Sequence, residues 1–341
     1  MRTIMTENAK TTPSALPKRT VCWIVTNGMA GYEMQALGVA SALGVDPIVK
    51  RVTPGAPYSW LSPWGPAAPD PQITAPWPDV VIAGGRQAIP YARAIKKKSR
   101  GRTLVVVFQD PKVNPAKFDL VWAPVHDQLK GPNVITTLTA PHRITEEKLK
   151  NASTDLASRY GHLTGRNAAV VIGGTNKVYD LSAEKMQGLA AKLRDLALRE
   201  KVNLLITTSR RTCPQATRVL RETLKDVPHD LYDALSDPAE ENPYPGLLGL
   251  CETTIVTCDS HNMVGEATMT GRPVYVVELE GGSPKFRRFI DALYVNGVAR
   301  QFDGLLETWS YAPLNATQEI AAAIAEAYAQ KQAALSNELG K

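Results

Sequence analysis

The feature that most constrains this chain is the stretch of residues 254–277, TIVTCDSHNMVGEATMTGRPVYVV. An apolar run ends just before Asp259, a helix-like segment follows at residues 262–269, and a second apolar run comes after a Gly-Arg-Pro turn. This order of strand, loop, helix and strand is typical of a βαβ unit in a parallel sheet. We therefore expect a parallel sheet packed with helices.

Two polar residues, Asp259 and Ser260, lie where the predicted strand ends and the helix begins. Free backbone N–H groups at the start of a helix favour an anion, so this position suits a phosphate. Met263 and Glu266 follow on the helix, and the Glu266 carboxylate is placed to bind sugar hydroxyls. Ser260 also suits a structural N-cap and Asp259 an ordinary loop, so binding and capping both stay open.

The length of 341 residues exceeds one usual hydrophobic core, so two domains are expected. A hydrophobic content of 44% with 21% charged residues is typical of a globular protein, and no run reaches the roughly 20 apolar residues that span a bilayer. The net charge of +6 favours anionic partners. The four cysteines have no metal-ligand spacing, so we expect no metal site.

Apolar runs that end in glycine or polar turns recur along the whole chain, and they fall into two consecutive α/β halves. The predicted fold class is α/β, with two Rossmann-like domains facing a cleft. We assign residues 1–19 to a disordered tail, residues 20–160 to an N-terminal domain and residues 161–341 to a C-terminal domain. Ligands of such sheets collect at the carboxyl ends of the strands.

The composition changes at residues 54–78, which contain many prolines, Tyr58, Trp60, Trp64 and Trp77, and almost no charge. Such a long irregular segment is usually a functional loop or a mobile segment. It can form a lid, contact a membrane or pack on the body of the domain. We favour packing, because tryptophan is highly buried on average.

Three predicted strand ends of the C-terminal half carry the candidate ligand-binding residues. Glycine backbone, hydroxyl groups and arginines together suit a diphosphate, because arginine makes bidentate, charge-assisted hydrogen bonds to phosphate. Arg211 can instead be a surface charge, but its place beside Arg210 just after a strand favours a ligand role. The full candidate set is Gly173, Gly174, Thr175, Ser209, Arg210, Arg211, Asp259, Ser260, Met263 and Glu266.

Candidate catalytic groups come from the N-terminal half. Transfer of a glycosyl group needs a base for the acceptor hydroxyl and a group that stabilises the departing diphosphate. Glu33, His126 and Asp127 lie near predicted strand ends or turns and are the candidates, although a lone loop histidine is more often structural. The chain has no GxSxG, HExxH or P-loop motif.

Several segments, in order, make the chain resemble the mitochondrial-fission "elongated mitochondria" family. They are WIVTNGMAGYEMQALGVASAL, PDVVIAGGRQAIPYA, DLVWAPVHDQLKGPNVITTLTAPHRI, VVIGGTNKVY, LLITTSRRT and NPYPGLLGLCETTIVTCDSHNMVGEATMTGRPVYV. The resemblance implies a GT-B-like glycosyltransferase fold, with the acceptor on the N-terminal domain and the nucleotide sugar on the C-terminal domain. Bacterial members of this family have also been labelled predicted nucleoside-diphosphate-sugar epimerases. Here the opening turn, residues 26–31, lacks the Asp-Gly-Lys-Pro-Gly-like sequence that the family leads us to expect.

Two functions follow from these observations. The first is a GT-B-like glycosyltransferase that uses a nucleotide-diphosphate sugar as donor, needs no cofactor, and acts on a cell-envelope or lipid-linked acceptor. The alternative is a non-catalytic adaptor or membrane-associated recruitment protein, like the organelle-fission factors of the same family. We expect a cytoplasmic protein, with an anionic membrane surface such as that of the inner membrane as one partner and no nucleic-acid partner. The oligomeric state stays open.

Overall fold

The structure is a computed structural model that describes residues 15–237 and 241–339. The chain divides into two compact units. Unit 1 contains the chain up to Arg143 together with residues from Asn315 onward, and unit 2 runs from Ile144 to Leu314. Each unit is built around its own six-stranded sheet in which every pairing is parallel.

Unit 1 alternates strands and helices as the sequence predicts. Its elements before Arg143 are β1 (Cys22–Thr26), α1 (Ala30–Ala42), β2 (Ile48–Arg51), α2 (Tyr58–Leu61), β3 (Val80–Gly84), α3 (Ile89–Lys98), β4 (Leu104–Phe108), β5 (Leu120–Pro124) and β6 (Val134–Thr137). The sheet order is β2-β1-β3-β4-β5-β6. Strands β1, β3, β4 and β5 are buried along their whole length, which explains their continuous apolar sequences.

Unit 2 follows the same plan. Its elements are α4 (Glu146–Tyr160), β7 (Arg166–Ile172), α5 (Ala183–Glu200), β8 (Val202–Thr208), α6 (Pro214–Leu224), β9 (His229–Tyr232), α7 (Tyr244–Leu250), β10 (Thr253–Thr257), α8 (His261–Ala267), β11 (Val274–Val277), α9 (Pro284–Val295) and β12 (Ala299–Gln301). The sheet order is β12-β11-β10-β7-β8-β9. The βαβ unit predicted at residues 254–277 is confirmed as β10, α8 and β11.

The order in which strands are added to the unit 2 sheet reverses between β7 and β10. From β7 the chain adds β8 and β9 on one side, and then returns to add β10, β11 and β12 on the other side. Such a reversal leaves a crevice at the carboxyl ends of the two central strands, and ligands of open α/β sheets bind there. The loops after β7 and β10 therefore lie at the position where open α/β sheets bind their ligands.

Two helices belong to a different unit from the domain to which we assigned them. Helix α4, which we placed in the N-terminal domain, lies in unit 2, because Gly246 and Gly249 of α7 let the α4 backbone and Leu156 approach closely. The last helix, α10 (Ala316–Leu339), lies in unit 1, where Ile320 and Ile324 are buried in its core.

The expected N-terminal tail is only partly described. Residues 1–14 of the expected disordered tail lie outside the described residues. Leu16, which belongs to the same expected tail, is buried in the unit 1 core, and its N–H donates to the carbonyl of Leu43 at 2.9 Å.

Candidate functional site

Three loops of unit 2 meet at one edge of its sheet. Residues 173–176 follow β7, residues 209–212 follow β8, and residues 258–260 follow β10. The strands are adjacent and parallel in the order β10-β7-β8, so the loops leave the sheet side by side. The structure thus brings together the three strand ends that the sequence singled out.

The carboxylate of Asp259 holds these loops together. Its side chain is fully buried, with 0% exposure. Asp259 Oδ2 accepts from Arg211 Nη2 at 2.7 Å and from the backbone N–H of Gly174 at 3.1 Å, while Oδ1 accepts from Thr257 Oγ1 at 2.6 Å. The Asp259 carbonyl accepts from Asn176 Nδ2 at 3.1 Å. Asp259 is therefore the centre of a junction between loops.

The two glycines after β7 are required by this junction. A Cβ on Gly173 would lie 2.1 Å from both carboxylate oxygens of Asp259, and one on Gly174 would lie 2.1 Å from the carbonyl oxygen of Arg211. No side chain fits at such distances, so only glycine allows the loops to close. The backbone of these two glycines, which we assigned to a diphosphate, lies in this structure against the neighbouring loops.

Arg211 is already bound to protein groups. Besides its contact with Asp259, its Nη1 donates to the carbonyl of Gly174 at 3.3 Å, and its backbone N–H donates to Ser209 Oγ at 3.2 Å. Thr212 Oγ1 donates to the carbonyl of Gly173 and accepts from the backbone N–H of Ser209 at 3.0 Å. In this structure Arg211 and Ser209 therefore stabilise the junction between the loops.

The remaining polar candidates near the junction, Arg210 and Thr175, differ in what their side chains contact. Arg210 is exposed beside Arg211. Thr175 is exposed as a residue, yet its hydroxyl donates to Asp180 Oδ1 at 3.2 Å and accepts from the backbone N–H of Leu181 at 3.0 Å. The Thr175 side chain therefore folds back on its own loop, and Arg210 projects a charge from the junction to solvent.

Ser260 takes the capping role that the sequence left open. Its hydroxyl accepts from the backbone N–H of Met263 at 3.4 Å, which makes it the N-cap of the short helix α8. Met263 is partly buried, and its carbonyl accepts a 3.5 Å contact from the hydroxyl of Tyr244. The hydroxyl of Ser260 thus satisfies one of the N–H groups that we assigned to a phosphate.

Glu266 is held by Tyr244, a residue that sequence reasoning missed. Tyr244 Oη donates to Glu266 Oε2 at 2.7 Å. Burial raises the pKa of Glu266 to about 7, and the Tyr244 hydrogen bond offsets part of that rise. Nothing in the spacing of the two residues links α7 to α8, so only the fold reveals this contact. Glu266 is a carboxylate whose protonation changes near neutral pH.

The candidate catalytic residues of unit 1 do not form one group. Glu33 contacts Arg51 at the end of β2, with Oε1 2.6 Å from Arg51 Nη2. His126 and Asp127 lie in the turn after β5 with buried side chains, and His126 Nε2 is 4.0 Å from Asp127 Oδ1. Burial and the nearby Asp127 carboxylate raise the pKa of Tyr32. Tyr32 of α1, which the sequence did not suggest, therefore lies near Asp127.

The segment of residues 54–78 divides into packed and exposed tryptophans. Trp77 packs edge-on against Trp23, with ring centroids 6.2 Å apart, which confirms the packing prediction for this residue. That prediction is wrong for Trp60, which is 74% exposed. Trp64 is 64% exposed, although its Nε1 donates to the carbonyl of Lys112 at 3.1 Å. The sequence could not distinguish the packed tryptophan from the exposed ones. Their exposure depends on which carbonyl groups of the segment are bound by side chains of unit 1.

Two arginines fix the exposed part of this segment. Arg86 donates to the carbonyls of Ser62 at 2.5 Å and Trp60 at 3.0 Å. Arg93 donates to the carbonyls of Pro63 and Trp64, each at 3.0 Å, and to that of Gly65. Five consecutive or near-consecutive carbonyls are thereby satisfied. The indole of Trp60 is left largely exposed, whereas Trp64 Nε1 donates to the carbonyl of Lys112 at 3.1 Å while most of its ring stays exposed.

Within residues 15–237 and 241–339, no group of three or more His, Cys, Asp or Glu side chains is arranged to hold a metal ion. Within the same ranges no helix is long and apolar enough to cross a membrane.

The sequence profile of the Mitochondrial fission ELM1 family matches residues 30–328. The chain belongs to this family. It is 31% identical over 273 residues to Mitochondrial fission protein ELM1 of Arabidopsis thaliana, covering 72% of this chain and 63% of the plant protein. It is 28% identical over 279 residues to the uncharacterized protein RP120 of Rickettsia prowazekii, strain Madrid E, covering 72% of this chain and 78% of that protein. The chain thus spans less than two thirds of the plant ELM1 sequence.

The fold is also similar to that of a solved UDP-GlcNAc 2-epimerase. The structure of UDP-GlcNAc 2-epimerase from Methanocaldococcus jannaschii is similar with a TM-score of 0.50 and 10% identity, covering 88% of this chain and 98% of that one. At this identity the likeness concerns the fold alone. It confirms the GT-B-like fold class for this ELM1-family chain, as two parallel sheets with interleaved helices.

Proposed function

We propose that this ELM1-family protein binds a nucleotide-diphosphate sugar at the carboxyl edge of the unit 2 sheet and acts as a GT-B-like glycosyltransferase. One observation carries the proposal: the junction around Asp259 lies at the reversal point between β7 and β10, where open α/β sheets bind their ligands. A junction that is already hydrogen-bonded loses little conformational entropy when a ligand arrives.

The groups around this junction have the chemistry that a nucleotide sugar requires. Ionised Glu266 can accept hydrogen bonds from ribose hydroxyls, and its contact with Tyr244 fixes its orientation. Arg210 offers an exposed guanidinium for a phosphate. Asp259, Arg211 and the two glycines keep these groups in place.

The acceptor side of the proposal rests on unit 1. Of the candidate catalytic residues, Asp127 is the one we retain as the base, because its buried carboxylate lies near the hydroxyl of Tyr32. Glu33 is occupied by Arg51, whose Nε and Nη2 donate to its two carboxylate oxygens at 2.9 and 2.6 Å. His126 is buried beside Asp127 and would orient it. The acceptor that we propose is cell-envelope or lipid-linked.

A calorimetric screen tests the proposal. The full chain is titrated with UDP, GDP, CMP, dTDP and their common sugar derivatives. We expect one nucleotide class to bind, and to bind about tenfold more weakly to Glu266→Gln, since a hydrogen bond to a charged group contributes about 1.5 kcal/mol or more. Glu222→Gln, at an exposed position of α6, is the matched control and should bind like the wild type. Absence of binding by every nucleotide would contradict the proposal.

A second candidate function is favoured by the exposed tryptophans of unit 1. Trp60, Leu61 and Trp64 present apolar surface from a segment that Arg86 and Arg93 hold in place. Tryptophan is enriched where one end of a side chain is apolar and the other is wet, as at a membrane interface. This surface suits an adaptor that attaches to an anionic membrane, the alternative implied by the family, and it is compatible with a lipid-linked acceptor.

A further inference from the structure

A second feature of unit 2 lies outside the junction around Asp259. A cavity of about 510 Å³ opens between the loop that follows β11 and the first turns of α9. This volume is within the range of natural small-molecule sites, which is about 300–1,000 Å³. None of its charged residues was suggested by the sequence. The lining includes Tyr179, Cys258, Glu278, Leu279, Arg287 and Arg288.

The walls of the cavity are held by specific contacts. The loop after β11 forms an isolated antiparallel bridge between Gly281 and Tyr179. Gly281 has a φ of +102°, and a Cβ there would lie 2.2 Å from the carbonyl oxygen of Val178, so the bridge requires glycine. On the other wall, the backbone N–H of Leu279 donates to Cys258 Sγ at 3.3 Å. The cavity is therefore a built feature of the fold.

The cavity carries two cations and one carboxylate. Arg287 Nη1 lies 3.7 Å from Glu278 Oε2, a loose ion pair, and 65% of the Arg287 side chain is exposed. Tyr294 Oη donates to Glu278 Oε1 at 3.2 Å and orients that carboxylate. Arg288 adds a second positive charge. Ionised Glu278 cancels only one of the two arginine charges, so the lining is net positive.

The cavity also combines the two surfaces that a sugar needs. Leu279 and Ile290 provide apolar wall for the carbon face of a ring, and the Glu278 carboxylate accepts hydrogen bonds from hydroxyls. By comparison, Arg211 at the junction is occupied by Asp259 at 2.7 Å. A phosphate therefore meets less competition from carboxylate at Arg287, whose pair with Glu278 is 3.7 Å long, than at Arg211.

We propose that this cavity binds the phosphorylated sugar part of the ligand, with Arg287 and Arg288 on phosphate oxygens and Glu278 on sugar hydroxyls. This inference rests on the proposed function and deepens it. It assigns the nucleoside to the neighbourhood of Glu266 and the sugar phosphate to the cavity. The cavity and the junction around Asp259 lie at the same edge of the unit 2 sheet, because Cys258 of the cavity directly precedes Asp259.

The first test titrates the full chain with glucose, galactose and N-acetylglucosamine 1-phosphates, and with inorganic pyrophosphate. We expect one sugar phosphate to bind, and to bind at least about tenfold more weakly to the double variant Arg287→Gln/Arg288→Gln. The control Arg218→Gln/Arg221→Gln, at exposed positions of α6, should bind like the wild type. Unchanged melting temperatures confirm that the variants fold. If no sugar phosphate binds, or the double variant binds equally well, the inference is overturned.

A single variant separates the sugar from the phosphate. Glu278→Gln should weaken sugar phosphate binding several-fold and leave pyrophosphate binding unchanged or tighter, because it removes a negative charge near the arginines. Equal effects on both probes would overturn the assignment of Glu278 to the sugar.

The nucleotide titrations distinguish failure of this inference from failure of the proposed function. A nucleotide sugar that binds the wild type and the double arginine variant equally well would overturn the cavity assignment alone. A sugar phosphate that requires both arginines, in a chain that binds no nucleotide, would support the cavity and overturn the nucleotide proposal alone.

Discussion

Arg211 Nη2 lies 2.7 Å from Asp259 Oδ2, and the carboxylate that it contacts is fully buried. This pair joins the loop after β8 to the loop after β10, while Gly174 of the loop after β7 donates to the same oxygen. An ion pair in this position costs desolvation energy, and its geometry and further hydrogen bonds offset that cost. We interpret it as the contact that fixes the edge of the sheet at which we propose that the ligand binds.

The first prediction concerns the loss of this pair. Arg211→Ala should lower the free energy of unfolding by about 3 kcal/mol, because it leaves the Asp259 carboxylate buried without its counter-charge. Scanning calorimetry of the variant measures the change. Arg210→Ala, at the exposed neighbouring position, should change stability by less than about 0.5 kcal/mol. Equal effects of the two substitutions would show that the pair does not hold the junction.

The second prediction concerns the glycines of the junction. Gly174→Ala places a Cβ against the backbone of Arg211, which cannot move without opening the loops, and should destabilise the protein by about 1–3 kcal/mol. Gly188→Ala is the matched control, since Gly188 is exposed on α5 and a Cβ there meets nothing within 4 Å. The control should stabilise the helix by about 0.5–1 kcal/mol. A stable Gly174→Ala variant would contradict the packing described for the junction.

These residues illustrate what the sequence could and could not reveal. The strand ends, their order and their meeting at one edge follow from the apolar runs and the glycine turns, because parallel strands place their carboxyl ends together. The partner of each side chain does not follow. The sequence presents Asp259 and Arg211 as separate ligand groups, whereas the fold uses them to neutralise each other.

The third prediction concerns pH. The pKa of Glu266 rises to about 7 in the folded protein from an ordinary value of 4.5, so the folded state binds the extra proton between these values. The contribution of Glu266 to stability is therefore fully present below about pH 4.5 and is lost as the pH rises through 7, by at most about 3 kcal/mol. Thermal unfolding from pH 5 to 8 should show this slope, and Glu266→Gln should remove it. A slope that persists in the variant would assign it to another group.

The same proton affects ligand binding in the opposite direction. If ionised Glu266 holds the ribose hydroxyls, nucleotide affinity should rise as the pH increases from 6 to 8, because the carboxylate must lose its proton to accept two hydrogen bonds. Calorimetric titrations across this range test the prediction. A nucleotide affinity of the wild type that does not change between pH 6 and 8 would contradict the proposed role of Glu266 in the site.

The fourth prediction concerns the exposed surface of unit 1. If this surface contacts a membrane, Trp60→Ser/Leu61→Ser should reduce flotation with vesicles of phosphatidylcholine and phosphatidylglycerol by about tenfold or more, since each apolar side chain contributes roughly 1.5–3 kcal/mol when fully buried. Val295→Ser, at a position of α9 that is 87% exposed, is the control and should float like the wild type. Equal flotation of all three proteins would contradict a membrane role for this segment.

The division of the chain shows a second limit of sequence reasoning. The pattern of strands predicts two consecutive halves, and each half does contain one sheet. The pattern cannot show that α10 belongs to unit 1, because its apolar residues would suit the core of either half. The buried positions of Ile320 and Ile324 are a property of the folded chain.

Hydrogen–deuterium exchange tests most directly whether a nucleotide sugar binds at the carboxyl edge of the unit 2 sheet. Exchange of the full chain is measured with and without the nucleotide sugar that binds best in calorimetry. We predict slower exchange in the loops at residues 173–176, 209–212 and 258–263 on ligand addition. Protection confined to unit 1, or no protection anywhere in unit 2, would contradict it.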